Sequence, residues 1–295
     1  MDVDFELYKV FYHVVKENSF STAAERLFVS QSAISQNIKN LEKKLGVQLF
    51  QRKGRDLKMT QEGEWLYSYV QQAYNLFKTA ESKINDFNNL EAGEVRIGAS
   101  DTICRYYLLP YLQRFNREYP RVKIHFINRT STQIRELLRE GVIDFGVVTL
   151  HQGETGENVR TLSVVEDVFV ASQKYASLKG KLLELKDLST YPLLMLEKAS
   201  TTRAIFESFL QEHNLKLVPE VELESTDLLV EFAKIGLGIA YVLKDSIREA
   251  VFRGQLFILR INEELPVRKI GFITNEEIPI TKSAARFIDL VEGRE

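Results

Sequence analysis

Apolar positions near the N-terminus follow the spacing of short helices. The first helix is indicated by six such residues: Phe5, Leu7, Tyr8, Phe11, Val14 and Val15. Ser21 is predicted to cap a second helix over Thr22–Leu27. Ser30 is predicted to cap a third helix that runs to about Leu45 and ends at Gly46. The pattern therefore predicts three helices in close succession.

A long helix without proline is predicted over Thr60–Leu90, and Trp65 near its start is predicted to pack against a neighbour. The apolar residues of this helix alternate at spacings of four and three: Leu66, Val70, Ala73, Phe77, Ala80, Ile84 and Phe87. A seven-residue apolar repeat is the spacing of a coiled-coil seam, so the pattern favours pairing of two copies. The alternative is an amphipathic helix packed on its own domain.

Beyond the long helix, the pattern changes to strands that alternate with helices. Strands are predicted over 95–98, 123–127 and 143–148, with helices over 103–118 and 132–139 between them. A second unit has strands over 164–171, 193–196, 220–223 and 238–242, a further candidate strand over 256–259, and helices over 201–213 and 227–235. A last strand over 267–273 and a last helix over 281–291 close the chain. This order predicts α/β lobes with parallel sheets.

The net charge of −2 hides a basic segment. Residues 36–58 hold seven Lys or Arg side chains against Glu42 and Asp56, which gives +5 there and leaves −7 for the remainder. A local basic block on an acidic chain indicates a polyanionic partner for that block. The single cysteine, Cys104, permits no disulfide within the chain, and the four histidines have no ligand spacing, so no metal or cofactor is expected.

The apolar runs of the chain are short. The N-terminus is acidic and lacks the apolar core of a signal peptide, and no stretch approaches the ~18 residues that a membrane span needs. These features predict a cytoplasmic protein without a membrane partner.

The third helix has two chemically different faces. An apolar stripe is formed by Ile34, Ile38, Leu41 and Leu45. The opposite face carries Ser32, Ser35, Gln36, Lys39, Asn40 and Lys43. Hydroxyl and amide groups reach base edges, while lysines reach phosphates. Such a face is typical of a DNA recognition helix, although a polar helix face alone is as often simply solvated.

A basic hairpin follows the third helix. Between Leu49 and Thr60 the chain carries a glycine and the cations Arg52, Lys53, Arg55 and Lys58. A wing that tracks the DNA backbone has this composition, and so does an ordinary surface turn. The polar helix face and the basic hairpin follow each other directly and precede a helix with the repeat of a coiled coil. Together they favour a winged helix-turn-helix.

Three segments resemble the signature of LysR-type transcriptional regulators: SFSTAAERLFVSQSAISQNI at 19–38, LEKKLGVQLFQR at 41–52 and LKMTQEG at 57–63. The family often has proline where this chain has Ser32, arginine at Gln36 and glutamate at Gln51, so the base preference does not carry over. The resemblance implies that bases are approached by Gln31, Ser32, Ser35 and Gln36. The full predicted DNA-binding set is Ser21, Ser30, Gln31, Ser32, Ser35, Gln36, Lys39, Lys43, Arg52, Lys53 and Arg55.

The resemblance also implies a domain plan and an assembly. A winged helix-turn-helix over 1–59 and a dimerisation helix over 60–90 precede an effector-binding domain over 91–295. That domain resembles periplasmic solute-binding proteins, with lobe I at 94–162 and 266–295 and lobe II at 163–265. Homodimers that pair into homotetramers, and contact with RNA polymerase, are further implications.

Short hydroxyl residues recur where predicted strands end and helices begin, the edge at which open α/β sheets bind ligands. The predicted ligand-binding set is Ser100, Thr102, Ser131, Thr149, Thr201 and Thr202. The family resemblance places Ser100, Thr102, Thr149 and Thr202 in a cleft between the lobes. Any one of them could instead serve only as a helix cap. Arg129, Lys198 and Arg203 point weakly to a polar or anionic small-molecule co-inducer.

The sequence thus predicts a transcription regulator that binds promoter DNA and responds to a metabolite. A solute-binding receptor without a regulatory role is the alternative. An enzyme fused to a DNA-binding domain finds no nucleophile–base pair or phosphate loop in the sequence.

Overall fold

The computed structural model describes residues 3–53, 56–88, 93–151, 153–156 and 158–293. The chain forms two compact units, one that runs to Ile84 and includes Arg139–Val142, and one formed by the rest. We describe each unit by itself. The predicted domain limits stay a prediction.

The first unit is helical with one hairpin. Its elements are α1 (Phe5–Glu17), α2 (Phe20–Leu27), α3 (Gln31–Leu45), β1 (Phe50–Lys53), β2 (Asp56–Met59) and α4 (Gln61–Asn88). The core between α1, α2 and α3 contains Phe11, Ile34 and Leu41, none of them accessible to solvent. β1 and β2 pair antiparallel from Phe50 opposite Met59 to Lys53 opposite Asp56.

The ends of the first helices follow from their capping residues. Ser30 accepts a hydrogen bond from the Ala33 N–H at 3.2 Å, and Gly46 ends α3 with φ of 73°. The predicted cap of α2 is wrong, because the hydroxyl that accepts from the Thr22 N–H is that of Ser19, at 3.2 Å. Ser21 lies inside the helix and is exposed. The sequence offers two serines at this helix start, and only the one with an extended backbone can act as the cap.

The apolar repeat on α4 divides between two surroundings. Leu66 and Val70, its first two members, pack against the core of the first unit. Phe77 and Ile84 are 57% and 63% exposed. Trp65, predicted to pack against a neighbour, is instead 73% exposed. Near its start α4 therefore packs on its own unit, as the alternative interpretation had it, while later apolar side chains face solvent.

The second unit is built on a nine-stranded sheet. Its strands are β3 (Glu94–Ala99), β4 (Lys123–Asn128), β5 (Phe145–Thr149), β6 (Val159–Ser172), β8 (Leu193–Leu196), β9 (Val221–Leu223), β10 (Ile239–Leu243), β11 (Leu256–Ile258) and β13 (Val267–Thr274). The order is β4-β3-β5-β13-β6-β10-β8-β9, and β11 also pairs with β6. Two short strands, β7 (Leu182–Leu183) and β12 (Arg260–Ile261), form a separate parallel pair.

The helices of this unit lie between the strands in chain order. They are α5 (Asp101–Ile103), α6 (Leu109–Glu118), α7 (Ser131–Arg139), α8 (Thr201–Glu212), α9 (Thr226–Lys234), α10 (Arg248–Phe252) and α11 (Lys282–Glu292). Short 3-10 turns span Gln173–Leu178, Leu185–Thr190 and Lys244–Ile247.

One strand joins the two lobes. β6 is 14 residues long, and it pairs with β13 as far as Glu166 and with β10 from Asp167 onward. Separate cores lie on either side of this change of partner, one around Phe145 and Phe287 and one around Phe169 and Phe206. β13 returns the chain to the first lobe, where it also pairs with β5. The two-lobed α/β architecture predicted from the sequence is confirmed. The sheet is mixed and not parallel throughout as predicted, because β6 and β13 run antiparallel to the strands with which they pair.

The helical segment after β3 contains a π-helical turn, Cys104–Leu108, between α5 and α6. Pro110 stands in the first turn of α6. Proline has no N–H to donate to the carbonyl four residues earlier, which accounts for the break in the α-helical pattern. This turn was not predicted from the sequence, which indicated one continuous helix over residues 103–118.

Among the residues that the structure describes, no helix is both long enough and apolar enough to span a lipid bilayer.

Candidate nucleic-acid interface and ligand cleft

The two faces of α3 separate by burial as predicted. Ile34, Ile38 and Leu41 are buried against α1 and α2. The opposite side is exposed at Gln31, Ser32, Gln36, Lys39 and Lys43, while Ser35 is half-buried. In the described part of the chain, neither Lys39 nor Lys43 is paired with a carboxylate. The first unit thus leaves a polar, cationic helix face open.

Two polar contacts order this face without covering it. The Ser30 and Ser32 hydroxyls are hydrogen-bonded at 2.9 Å, next to the bond by which Ser30 caps α3. Gln36 Nε2 donates to Asn40 Oδ1 at 3.0 Å. The Gln36 amide is therefore held along the helix, with its oxygen left to accept and a second N–H left to donate.

A carboxylate fixes the hairpin relative to α3. Glu42 Oε1 accepts from the Leu49 N–H at 2.8 Å and from the Phe50 N–H at 3.3 Å, where β1 begins. Glu42 was not predicted as a site residue, and its only signal in the sequence is its position in α3, seven residues before Leu49. Arg52 and Lys53 lie in β1, but their side chains, and the whole of Arg55, lie outside the described residues.

A cavity of ≈ 630 Å³ lies between the two lobes of the second unit. Its lining includes all six predicted ligand-binding residues: Ser100, Thr102, Ser131, Thr149, Thr201 and Thr202. They come from the ends of β3 and β5 and the first turns of α5, α7 and α8. The carboxyl ends of the strands therefore bring residues from both lobes to one space.

The floor of the cavity is a chain of buried polar groups. Arg268 Nη2 donates to Asp167 Oδ1 at 2.7 Å, and Arg268 Nε donates to the other carboxylate oxygen. Arg268 Nη1 donates to the Thr149 hydroxyl at 3.2 Å, and the Thr149 N–H donates to the Ser131 hydroxyl at 3.1 Å. Because both hydroxyls accept from these donors, each keeps its own hydrogen for another acceptor.

This chain of groups joins the strands that cross between the lobes. Asp167 lies where β6 changes partner, and Arg268 lies near the start of β13. Burial by itself lowers the pKa of the Arg268 guanidinium, but the Asp167 carboxylate more than offsets this and the pKa is raised. The guanidinium therefore stays charged. Burial, and then Asp167, raise the pKa of the neighbouring Tyr241 phenol.

At one rim of the cavity, side chains of the first lobe bond directly to the second. The Thr102 and Thr226 hydroxyls are 3.0 Å apart. Tyr106 donates to Asp227 Oδ1 and Arg105 to Asp227 Oδ2, both at 2.6 Å. The Tyr107 hydroxyl donates to Asp245. All the first-lobe partners belong to α5 and the π-helical turn, so this turn holds the lobes together beside the cleft.

The predicted ligand residues have different internal roles. Ser100 caps α5 through the Ile103 N–H at 3.4 Å. Ser131 and Thr149 belong to the buried chain of polar groups, and Thr102 bridges the lobes. Thr201 and Thr202 lie in the first turn of α8, whose cap residue Ser200 makes no side-chain capping bond. Among the described residues, neither the Thr201 nor the Thr202 hydroxyl has a hydrogen-bond partner, so both are open to the cavity.

The charges around the cavity differ from those expected. Of the three cations noted in the sequence, only Arg129 lines it. Arg203 is buried at 2% exposure, with Nε bonded to Glu207 and Nη1 to the Leu196 carbonyl. The acids Asp101, Glu197 and Glu224 also line the cavity. With Asp167 and Arg268 neutralising each other, carboxylates outnumber cations among the lining residues.

Cys104 stands at the start of the π-helical turn. Burial raises the pKa of its thiol, with a smaller contribution from Asp101. A raised pKa disfavours the thiolate, which is the reactive form. The described residues contain no cluster of His, Cys, Asp and Glu suited to a metal ion.

Family models match both parts of the chain. The model described as "LysR substrate binding domain" matches residues 88–294, and the model described as "Bacterial regulatory helix-turn-helix protein, lysR family" matches residues 5–64. The first alone covers more than half of the sequence. This chain belongs to the LysR family.

Curated relatives match the LysR-family chain over nearly their whole length. The HTH-type transcriptional regulator CysL of Bacillus subtilis (strain 168) is 26% identical over 289 residues, which are 98% of this chain and 97% of CysL. The HTH-type transcriptional activator CmpR of Synechocystis sp. (strain ATCC 27184 / PCC 6803 / Kazusa) is 29% identical over 266 residues, 90% of this chain and 87% of CmpR.

Solved structures share the fold. Full-length CbnR complexed with its target DNA has a TM-score of 0.69 at 19% identity, covering 99% of this chain and 100% of that one. A full-length variant of OxyR from Pseudomonas aeruginosa has a TM-score of 0.70 at 19% identity, covering 99% and 94%. With the family models, these similarities confirm a DNA-binding transcriptional regulator with a ligand-binding domain. None of these relatives supports a solute receptor without a regulatory role.

Proposed function

We propose that the exposed face of α3 enters the major groove of promoter DNA and that the β1–β2 hairpin acts as the wing. The assignment of this face to DNA is supported by the exposure of five polar or basic residues: Gln31, Ser32, Gln36, Lys39 and Lys43. In helix-turn-helix proteins the N-terminal residues of the second helix contact base edges. Glu42 sets the hairpin beside α3 through its two backbone bonds. Arg52, Lys53 and Arg55 remain predicted wing contacts.

The cleft between the lobes is proposed to bind a small polar effector. The observation that carries this proposal is a cavity whose hydroxyls come from both lobes. Ser131 and Thr149 each keep a hydrogen to donate, which suits acceptor oxygens on the ligand. Glu197 and Glu224 suit an ammonium or hydroxyl group on its other side. A polar ligand with both kinds of group fits this lining better than a purely anionic one.

The effector would act by shifting a conformational equilibrium. A ligand held by both lobes changes the free energy of their relative arrangement, and thereby the state of the DNA-bound assembly. Linkage requires that ligand and DNA alter each other's affinity by the same factor. The exposed apolar residues of α4, among them Phe77 and Ile84, would pair copies into dimers. Membership of the family suggests that two such dimers form a tetramer.

Three further properties are proposed: the location of the protein, its lack of catalysis and its contact with RNA polymerase. The protein is proposed to be cytoplasmic, to act by binding without turnover or a resident cofactor, and to contact RNA polymerase when it regulates transcription. A turnover assay with each ligand found, and a pull-down of RNA polymerase on promoter DNA, test the two last points.

Thermal unfolding of the full chain with a panel of amino acids, hydroxy acids and sugar phosphates tests the cleft. A ligand at about 100 times its Kd adds roughly 2.7 kcal/mol to the unfolding free energy. Thr202→Val removes a hydroxyl of α8 that is open to the cavity, so it should weaken that ligand about tenfold and leave the unliganded midpoint unchanged.

Thr132→Val is the matched control. Thr132 is the second residue of α7, as Thr202 is of α8, but it is exposed outside the cavity lining. An equal ligand-induced shift in wild type and Thr202→Val would contradict the proposed site.

A further inference from the structure

Phe28 has a backbone conformation that bulky residues rarely adopt. It ends α2 with φ of 56° and ψ of 40°, in the left-handed region. Its side chain is 95% exposed. A left-handed conformation is unfavourable for a residue with a large side chain, and here no burial of the ring compensates for it.

Other left-handed positions of the chain carry the residues that tolerate them. Outside glycine, positive φ occurs among the described residues at Asn18, Phe28 and Asn214 alone. α1 ends at Asn18, and α3 ends at Gly46 with φ of 73°. Glycine and asparagine are the usual choices at this position of a helix end. Phe28 is the exception, so its ring is not explained by the turn.

The turn itself depends on the backbone of Phe28. The Phe28 N–H donates to the Glu25 carbonyl at 3.2 Å, and the Val29 N–H donates to the Ala24 carbonyl at 3.0 Å. This pair of hydrogen bonds is the Schellman motif, which needs a left-handed residue at this place. Asparagine or glycine would supply that conformation with less strain. The turn therefore needs the left-handed backbone of this residue but not its phenyl ring.

The position of Phe28 indicates what the ring contacts. It precedes Ser30, the cap of α3, by two residues, and it is followed by Val29, which is 47% exposed. The N-terminal end of α3 is the part that a helix-turn-helix brings to the bases. An apolar ring at that end can contact the methyl group of thymine, which distinguishes thymine in the major groove.

We propose that Phe28 is a sequence-reading contact of the DNA-binding unit, an apolar ring placed against the duplex beside the polar face of α3. This inference rests on the proposed DNA-binding function. The ring adds an apolar contact to the hydrogen bonds available from Gln31, Ser32 and Gln36. The strained backbone at the end of α2 is the cost of holding the ring there.

The test compares wild type with Phe28→Asn and Phe28→Gly, both of which tolerate the left-handed turn. The probe is a duplex selected by the full-length wild type from a random-sequence library. Both variants should unfold at the same temperature or a few degrees higher, because strain is relieved. Both should bind the selected duplex about tenfold more weakly, because they lack the apolar ring that the duplex would bury.

Salt and base analogues separate this contact from an electrostatic one. The slope of log affinity against log salt concentration should be unchanged, because neither variant removes a cation. Replacing thymine by uracil in the selected duplex removes the methyl group. It should weaken wild type at one or more positions and leave Phe28→Asn unaffected there.

Three results would each overturn the proposal. Equal affinity of wild type and both variants would exclude a contact with DNA. A decrease in affinity accompanied by a smaller salt slope would make the effect electrostatic. Normal duplex binding with loss only of transcription by RNA polymerase would assign the ring to a protein partner. Failure of wild type to select any duplex is a different outcome, because it contradicts DNA binding itself.

Discussion

The face of α3 that is proposed to bind DNA and the cleft of the second unit use polar side chains in opposite ways. On α3, Lys39 and Lys43 are exposed and have no carboxylate partner among the described residues. In the cleft, Ser131, Thr149 and Arg268 are buried and bonded to one another. The first surface has much of its hydrogen-bonding capacity free for a partner, apart from the Ser30–Ser32 and Gln36–Asn40 bonds. The second has much of it already engaged in holding the lobes.

Because of this difference, substitutions on α3 and substitutions in the cleft should have different effects on binding and on stability. Changes on α3 should alter affinity for DNA with little effect on folding, since exposed substitutions usually stay within about ±0.5 kcal/mol. Changes to the bonded groups of the cleft, such as Thr149 and Arg268, should alter both ligand response and folding, because the same groups serve both. Such dual use would couple the occupancy of the cleft to the arrangement of the lobes.

The largest predicted effect comes from Asp167→Ala, which leaves the buried Arg268 without its partner. An uncompensated buried charge costs about 3–5 kcal/mol of unfolding free energy. Glu166→Ala is the matched control one residue earlier. It removes a carboxylate whose 2.6 Å contact with Lys244 is exposed, and should cost less than about 1 kcal/mol. Urea unfolding of both variants measures the difference.

A double change sharpens the same comparison. Replacing Asp167 and Arg268 together by leucine removes both charges, and should recover much of the stability that Asp167→Ala removes. Equal costs for Asp167→Ala and Glu166→Ala would show that the buried pair does not hold the crossing strands together.

A smaller effect is expected from Ser100→Ala. Removal of the cap on α5 should cost about 1 kcal/mol, and Thr281→Ala, which removes the cap of α11 outside the cavity, should cost about as much. Only Ser100→Ala should abolish the ligand-induced shift in unfolding temperature, while its affinity for DNA stays normal. A surviving response at the same ligand concentration would remove Ser100 from the site.

Much of the local structure could be predicted from the sequence. α3 has its predicted cap at Ser30 and its predicted end at Gly46, because the capping residue, the apolar stripe and the terminal glycine agree. The strand Leu193–Leu196 has its predicted bounds, since a short apolar run between helices has few alternatives. The six hydroxyl residues of the cleft all reach one cavity because parallel strands end at one edge.

What could not be predicted depends on contacts between residues far apart in sequence. Asp167 and Arg268 are 101 residues apart, and only the pairing of β6 with β13 brings them together. Arg203 is a plausible ligand contact in the sequence because its helix begins at the cleft, but its side chain turns inward to Glu207. Large aromatic residues such as Trp65 are usually buried. Trp65 is exposed in this structure, because no other described part of its unit packs over that side of α4.

The central claim, that the polar face of α3 binds duplex DNA, is tested most directly by salt-dependent binding. Fluorescence anisotropy with the library-selected duplex compares wild type, Lys39→Ala/Lys43→Ala and the control Lys216→Ala, which changes an exposed lysine of the other unit. The double variant should bind more weakly, with a salt slope smaller by about 0.9 for each phosphate that it no longer neutralises, and Lys216→Ala should match wild type. An unchanged affinity and slope in the double variant would contradict DNA binding by this face.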